Sequence, residues 1–247
     1  TTTDNSLGFP VKLHEGFQIN VWANNVPAAR SLAQAKDGTV FVSTRKSDNV
    51  YALRDTDNDG QADEQYTLVE GFDTPNGIAY KDGDLYIAEI SRIHVMRNVL
   101  ANLENPGQPE LLYDGLPTDT HHGWKFIRFG PDGYLYVPVG APCNICDPED
   151  SVYASILRMR PDGSEQSIFA HGIRNTVGFD WHPSTKVLWF TDNGRDWLGD
   201  DEPPCELNRA PTAGLHFGYP YCHGSDISDP EFGEGHDPAD YTSPVQE

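Results

Sequence analysis

The residues able to do chemistry fall in four stretches of a 247-residue chain. The first is Asp55-Thr56-Asp57-Asn58-Asp59-Gly60-Gln61-Ala62-Asp63. Carboxylates at alternate positions, followed by a glycine that turns the chain, wrap oxygens around a hard divalent cation. Asp55, Asp57, Asp59 and Asp63 would give side-chain oxygens and Gln61 its carbonyl. The twelfth position of an EF-hand loop would fall on Tyr66 rather than on a glutamate, and no flanking helices are expected. The reading is therefore a calcium-stapled loop between strands, with a solvated acidic turn as the alternative.

The second stretch places His121 and His122 directly before Gly123. A neutral imidazole titrates near working pH and can take a proton as general base; the alternative is a packing or surface histidine. The third, Gly172-Ile173-Arg174-Asn175, offers a cationic fork and an amide suited to carboxylates or quinone oxygens. The same pair also makes ordinary loop hydrogen bonds. The fourth runs from Thr191 to Glu202, with glycine-backed carbonyls, acids and Trp197. It reads as a second calcium loop or a solvated acidic one. The sequence has neither a phosphate-cradling glycine loop nor a Gly-x-Ser-x-Gly elbow. His94, His171, His182, His216, His223 and His236 are scattered and read as structural or solvated.

Four cysteines, Cys143, Cys146, Cys205 and Cys222, stand at loop-like positions. An even count of this kind suggests two disulfides and an oxidising compartment, periplasmic or extracellular. A four-cysteine zinc site usually shows two short-spaced pairs, whereas Cys205 and Cys222 are 17 apart. No signal peptide stands at Thr1, which suggests a mature or trimmed chain. The net charge is −21, from 38 acids against 17 bases. Nucleic acid is excluded as the expected partner, because binding it means neutralising phosphates. No apolar run approaches the length of a membrane span.

The elements that must position these residues are strands. Strand, tight turn and returning strand recur at Lys36-Asp37-Gly38, Lys81-Asp82-Gly83 and Pro131-Asp132-Gly133, with turn aspartates 45 and 50 apart. A fourth copy spans Val177 to Phe190, with Glu206 to Asn208 as its later strand. A hairpin-rich repeat of about 40–50 residues indicates an all-β propeller with blades of four strands. About four blades are present, in a single domain over 1–247. Phe17 to Ala23 alternates and predicts a strand able to complete a last blade. Residues 1–10 are polar and predicted to fray. From Ala210 to Glu247 no further hairpin appears, which suggests the N-terminal portion of a longer propeller; an assembly closing the ring between chains is the alternative.

Together these residues resemble the soluble pyrroloquinoline-quinone-dependent sugar dehydrogenases, most closely the L-sorbosone dehydrogenase-like branch. The resemblance runs from about Phe9 to the end. It is carried by HHGWKFIRFGPDGYLYVPVGAPCNIC at 121–146, GIRNTVGFDWHP at 172–183 and TDNGRDWLGDD at 191–201. It implies a six-bladed propeller with the quinone in the central mouth over a calcium ion, a small-molecule sugar substrate and an external electron acceptor. It further implies that His121 abstracts the substrate proton, that Arg174 and Asn175 hold the quinone, and that the carbonyls of Gly194 and Arg195 ligate its calcium. Two positions depart from the pattern. Ala141 follows Gly140 where the family carries an acid that orients the histidine, leaving Asp119 as a candidate. Cys205-Glu206 replaces an Asp-Glu pair, with Cys222 as a possible disulfide partner of Cys205. The family's later Lys and Arg clamps would lie beyond Glu247. A calcium-dependent propeller hydrolase or lactonase, and a carbohydrate-binding propeller without chemistry, are the alternatives.

Overall fold

The computed structural model describes residues 8–247 together with the backbone of residues 2–4. Four antiparallel blades follow one another as a β-propeller. After a short β1 (Thr2–Asp4) and β2 (Val11–Leu13), blade one is β3 (Ala29–Gln34), β4 (Val40–Thr44), β5 (Val50–Arg54) and β6 (Glu64–Val69). Blade two is β7 (Gly77–Lys81), β8 (Asp84–Ala88), β9 (Ile93–Met96) and β10 (Glu110–Tyr113). Blade three is β11 (Arg128–Phe129), β12 (Leu135–Val139), β13 (Ser155–Met159) and β14 (Ser167–His171). Blade four is β15 (Phe179–Trp181), β16 (Leu188–Asp192) and β17 (Glu206–Ala210). Then β18 (Leu215–His216) runs parallel to β14, and β19 (Cys222–His223) pairs with β20 (Ile227–Ser228). Among the described residues the only helical turns are two three-residue 3₁₀ segments.

The Asp-Gly turns work as their residues require. Asp82 and the glycines at 38, 83 and 133 all adopt positive φ, which glycine tolerates without steric cost. The strands carry Val, Ile, Leu and Tyr on both faces because each blade is covered on both sides. One core cluster, with Phe41, Val50, Leu85 and Met96, joins blades one and two. A second, with Tyr86, Ile93, Leu135 and Met159, joins two and three. A third, with Tyr136, Ile156, Phe179 and Phe190, joins three and four. Removing a buried large side chain from any of them would cost about 2–5 kcal/mol.

Three expectations are corrected. Phe17 to Ala23 is not a strand: Phe17 and Val21 are exposed, and no ladder forms there. Phe17 N–H makes only a local bond to the His14 carbonyl at 3.2 Å and the Trp22 carbonyl accepts from Ala62 N–H at 2.7 Å, while Trp22 and Ala23 pack against the blade-one cluster of Val42, Tyr51 and Leu53. Alternation alone does not make a strand without a neighbour to satisfy its amides. The first ten residues are not all frayed, because β1 pairs antiparallel with β2; residues 1 and 5–7 lie outside the described residues. Finally, only Cys143 and Cys146 are bridged, with Cα atoms 6.2 Å apart. Cys205 and Cys222 are free thiols. Cys205 faces solvent at the start of β17, whereas Cys222 is buried in β19, so the two side chains occupy opposite environments.

The tail does more than the sequence suggests. Leu207 N–H donates to the Gln246 carbonyl at 2.8 Å and Val245 N–H donates to the Leu207 carbonyl at 2.8 Å. The fourth place in blade four is thus partly taken by residues 245–246, which satisfy an edge that would otherwise be open.

Candidate functional site

Strand direction alternates within a blade, so successive loops fall on alternate faces. In blade one the ladders place the β3–β4 turn and the β5–β6 loop at one end and the β4–β5 loop at the other. The second end is the mouth. It collects the segments entering each inner strand, including 117–127 and 172–178, and the loops at 140–154 and 193–205. His121, His122, Arg174, Asn175, Gly194 and Arg195 therefore share one face, and Asp55–Asp63 lies on the opposite one. On that opposite side the inner strands of three blades line a cavity of about 510 Å³ whose only ionisable wall group besides Tyr80 is Arg128.

The two histidines differ. His121 is exposed, and its ring lies 4.0 Å from that of His122 at 58°. His122 is half-buried, with Nδ1 3.0 Å from the Ala141 carbonyl. A carbonyl only accepts, so Nδ1 carries the proton and Nε2 is left with its lone pair. Burial first, then Arg174 and His121, lower its pKa to about 4. Gly140 makes this docking possible, since a Cβ there would sit 2.5 Å from His122 Cβ. The Ala141 carbonyl thus orients a histidine, but the second one. Asp119 is turned elsewhere: its carboxylate accepts from the Tyr153 hydroxyl.

Arg174 is 4% exposed and its fork is already engaged. Nε donates to the Asn144 carbonyl at 2.8 Å, Nη2 to Asn144 Oδ1 at 2.7 Å, and Nη1 to the Asn193 carbonyl at 3.0 Å. Asn144 stands between the bridged Cys143 and Cys146, and Cys146 N–H donates to the Tyr219 hydroxyl. The disulfide loop therefore holds the guanidinium from one side. Asp192 holds its backbone from the other, accepting from Arg174 N–H at 2.8 Å and Asn175 N–H at 2.6 Å. Across the ladder Asp192 faces Glu206. Burial, and then this second carboxylate, push Asp192 up to about 8, and burial pushes Glu206 up as well. Asn175 keeps its side-chain amide free among the described residues.

Gly194 lies so close to Pro204 that a Cβ would meet its carbonyl at 2.8 Å. Arg195 is locked by its side chain, Nη1 to Asp229 Oδ2 at 2.7 Å and Nη2 to Glu231 Oε1 at 2.9 Å. His223 also bonds Asp229 at 2.8 Å. The tail thus anchors the Arg195 side chain; the Gly194 and Arg195 carbonyls are the candidate ligands of a cofactor calcium.

Whether a polar group fits the mouth turns on unsatisfied atoms. Asn76 Oδ1 and Thr176 Oγ1 are buried beside the inner strands without a hydrogen-bond partner among the described residues. With the free Asn175 amide, such orphans fit a bound polar ligand, since buried polar atoms are otherwise paired. The metal loop passes the same test. Asp55, Asp57 and Asp63 bring ligand oxygens within 4.8 Å of one another, and Asp55 Oδ1 is buried without a partner. Asp59 stands outside this group, its carboxylate accepting from Gln61 N–H at 2.8 Å.

Sequence reasoning missed Asp192, Asn144 and Lys125. Asp192 lies inside the 191–202 stretch but reads there as one acid among several. Asn144 gives no signal beyond lying between two cysteines. Lys125 is 2% exposed, its amine donating to the Gly123 carbonyl and its own carbonyl accepting from Asn76 Nδ2 at 2.6 Å. Burial lowers its pKa to about 8.

Several solved structures share this fold. A carbohydrate-active enzyme of family AA12 from Trichoderma reesei superposes with a TM-score of 0.80 at 20% identity, over 94% of this chain and 70% of that one. The PQQ-bound aldose sugar dehydrogenase of Streptomyces coelicolor gives 0.67 at 23% identity, over 92% and 70%. The PQQ domain of the Coprinopsis cinerea pyranose dehydrogenase gives 0.73 at 16%, over 94% and 61%. At these identities the likeness is one of fold. In sequence, a Borreliella burgdorferi protein described as uncharacterized is 31% identical over 225 residues. The match takes in 87% of this chain, which spans 57% of that relative's length. Residues 33–202, covering all of blades two and three, match the family described as Domain of unknown function (DUF7133), and the chain belongs to that family.

Proposed function

We propose that the protein is an oxidoreductase of the quinone- and calcium-dependent sugar dehydrogenase type, acting on an aldose or a sugar aldehyde as the L-sorbosone dehydrogenase-like branch does. The observation that carries this reading is the meeting of three separate sequence stretches on one propeller face: His121–His122, Arg174–Asn175 and Gly194–Arg195.

When bound, pyrroloquinoline quinone supplies the hydride acceptor, with calcium drawing charge from it. Asn175 and the carbonyls of Gly194 and Arg195 are the residues that would hold the two. Arg174, fixed by Asn144 and Asn193, acts less as a clamp than as a buried positive field on the mouth. His121 takes the substrate hydroxyl proton. His122 stays neutral above about pH 5, so the base works beside an uncharged ring rather than a second cation. Asp55, Asp57 and Asp63 would hold a second calcium, which would staple blade one. An external acceptor takes the electrons onward. The Cys143–Cys146 bridge supports a periplasmic or extracellular location.

The test is a titration of calcium-loaded protein with pyrroloquinoline quinone, followed by absorbance, with an aldose then added. Saturable binding and sugar-dependent bleaching are expected; absence of binding overturns the reading. A calcium-dependent hydrolase or lactonase is the second reading, favoured by buried Asp192 facing half-buried Glu206 across the ladder. Lactone hydrolysis that needs calcium and no quinone would establish it instead.

A further inference from the structure

The rim of the mouth carries an unusual concentration of unpaired positive charge. Arg30 in β3 and Arg45 just beyond β4 flank the Ala29–Thr44 pair of adjacent strands. Both guanidiniums lie over the ring of Trp124, their carbons 5.2 and 4.5 Å from its centroid. Trp124 belongs to the histidine loop, one residue beyond Gly123, so it reaches from blade three to blade one across the mouth. Among the described residues neither arginine makes a salt bridge. Arg54, Arg97, Arg128, Arg158 and Arg160 each meet a carboxylate; Arg92 and Arg209 meet none among the described residues either, so what sets Arg30 and Arg45 apart is that they share one aromatic ring. In a chain with 38 acids and 17 bases, a paired cation is the expected outcome. Here two exposed cations are gathered on one ring instead.

An indole face attracts each guanidinium, but the two guanidiniums repel each other. An anion that met both forks would offset that repulsion. Arginine is suited to this, because its planar fork meets a carboxylate with two parallel bonds, and the ring pre-organises both forks. We propose that Arg30, Arg45 and Trp124 form a carboxylate-binding subsite that selects an anionic sugar, a hexuronate, over a neutral aldose. A hexuronate carries its oxidisable anomeric hydroxyl on C1 and its carboxylate on C5, on the two sides of the ring oxygen. The subsite would hold the carboxylate while His121 meets the hydroxyl. That the ligand is a sugar rests on the function proposed above; that it is an anion rests on the arginines alone.

The experiment is calorimetric titration of the quinone-free protein with D-glucuronate and with its neutral twin D-glucose. About tenfold or greater preference for glucuronate is expected, weakening as salt rises, since exposed charges are screened. The exposed variants Arg30→Gln and Arg45→Gln should each reduce the preference, and the double variant should abolish it. Trp124→Phe should weaken it without removing either charge. No glucuronate binding, equal affinity for the two sugars, or a preference surviving in the double variant would each overturn the proposal. So would a double variant that loses affinity for pyrroloquinoline quinone while glucuronate binding is unchanged, because the arginines would then serve the cofactor. Since no quinone is present in the sugar titration, it reads the subsite even if quinone reduction fails.

Discussion

The mouth and the acidic loop of blade one are built on opposite principles. Asp55–Asp63 is contiguous and largely exposed, and the hydrogen bonds of its carboxylates stay within the loop: Gly60 N–H to Asp55 at 3.0 Å, Asp59 N–H to Asp57 at 3.1 Å, Thr56 N–H to Asp63 at 2.7 Å. Each of these is a short-range side-chain-to-backbone turn of the kind aspartate makes readily. The mouth is discontinuous, and the Arg174–Asp192 pair that supports it is buried. Arg174 depends on Asn144 and Asn193, and Asp192 holds Arg174 and Asn175 while facing Glu206. A local site tolerates damage to the rest of the fold; a dispersed one fails when any blade shifts.

Substitutions should separate the two. The largest effect is expected from His121→Ala, which should lower quinone-linked turnover by about 10²–10⁴, the range for general-base removal. Calcium binding at the blade-one loop should be unchanged. Turnover equal to that of the parent protein would remove His121 from the mechanism and turn attention to His122 Nε2.

Asp192→Ala should come next. It leaves the Arg174 and Asn175 amides without their acceptor, at about 1–3 kcal/mol for each buried orphan. Urea unfolding should show the loss, and turnover should fall with it. Asp192→Asn, which keeps an acceptor and the neutral state that burial favours at this position, should recover much of the stability. If both variants unfold like the parent, the mouth is not the cooperative network described here.

A smaller and strictly local effect is expected at the other face. Asp57→Ala should weaken calcium binding about tenfold or more by removing one of three converging carboxylates. Calcium should raise the melting temperature of the parent and do so less in the variant, because a ligand bound only by the folded state stabilises it. Quinone binding by the Asp57→Ala variant should stay within twofold of the parent. A coupled loss would show that the faces communicate.

The smallest signal is the pH dependence. His122 and His216 both have folded pKa values lowered to about 4, chiefly by burial. Between about 4 and the usual value near 6.5 the unfolded chain binds more protons than the folded one. Stability from these groups is therefore full above about 6.5 and is lost as pH falls towards 4. Asp192, raised to about 8, acts with the opposite sign, since its buried protonated form favours the fold as pH falls. His216→Phe should flatten the acid limb of a melting-temperature profile while leaving the alkaline limb alone.

Much of the architecture was legible because it is local. Asp37-Gly38, Asp82-Gly83 and Asp132-Gly133 turns mark the hairpins wherever they fall, and alternation marks the strands around them. The outer strands β6, β10 and β14 were less so, since half-exposed edges carry Glu, Gln and Ser among their apolar residues. Phe17 to Ala23 has a strand's pattern and no partner, and pattern cannot supply one.

By itself the sequence determined the blade repeat, the acidic calcium-type loop and the three stretches that line the mouth, because turn chemistry and metal spacing act over a few residues. Tertiary structure alone decided which cysteines bridge, that His122 rather than His121 is docked by a backbone carbonyl, that Arg174 is already held by Asn144, and that Asp192 supports it. It also brought Arg30 and Arg45, from one blade, onto a tryptophan from another. These depend on distances between residues far apart in the chain, which the packing of blade against blade sets.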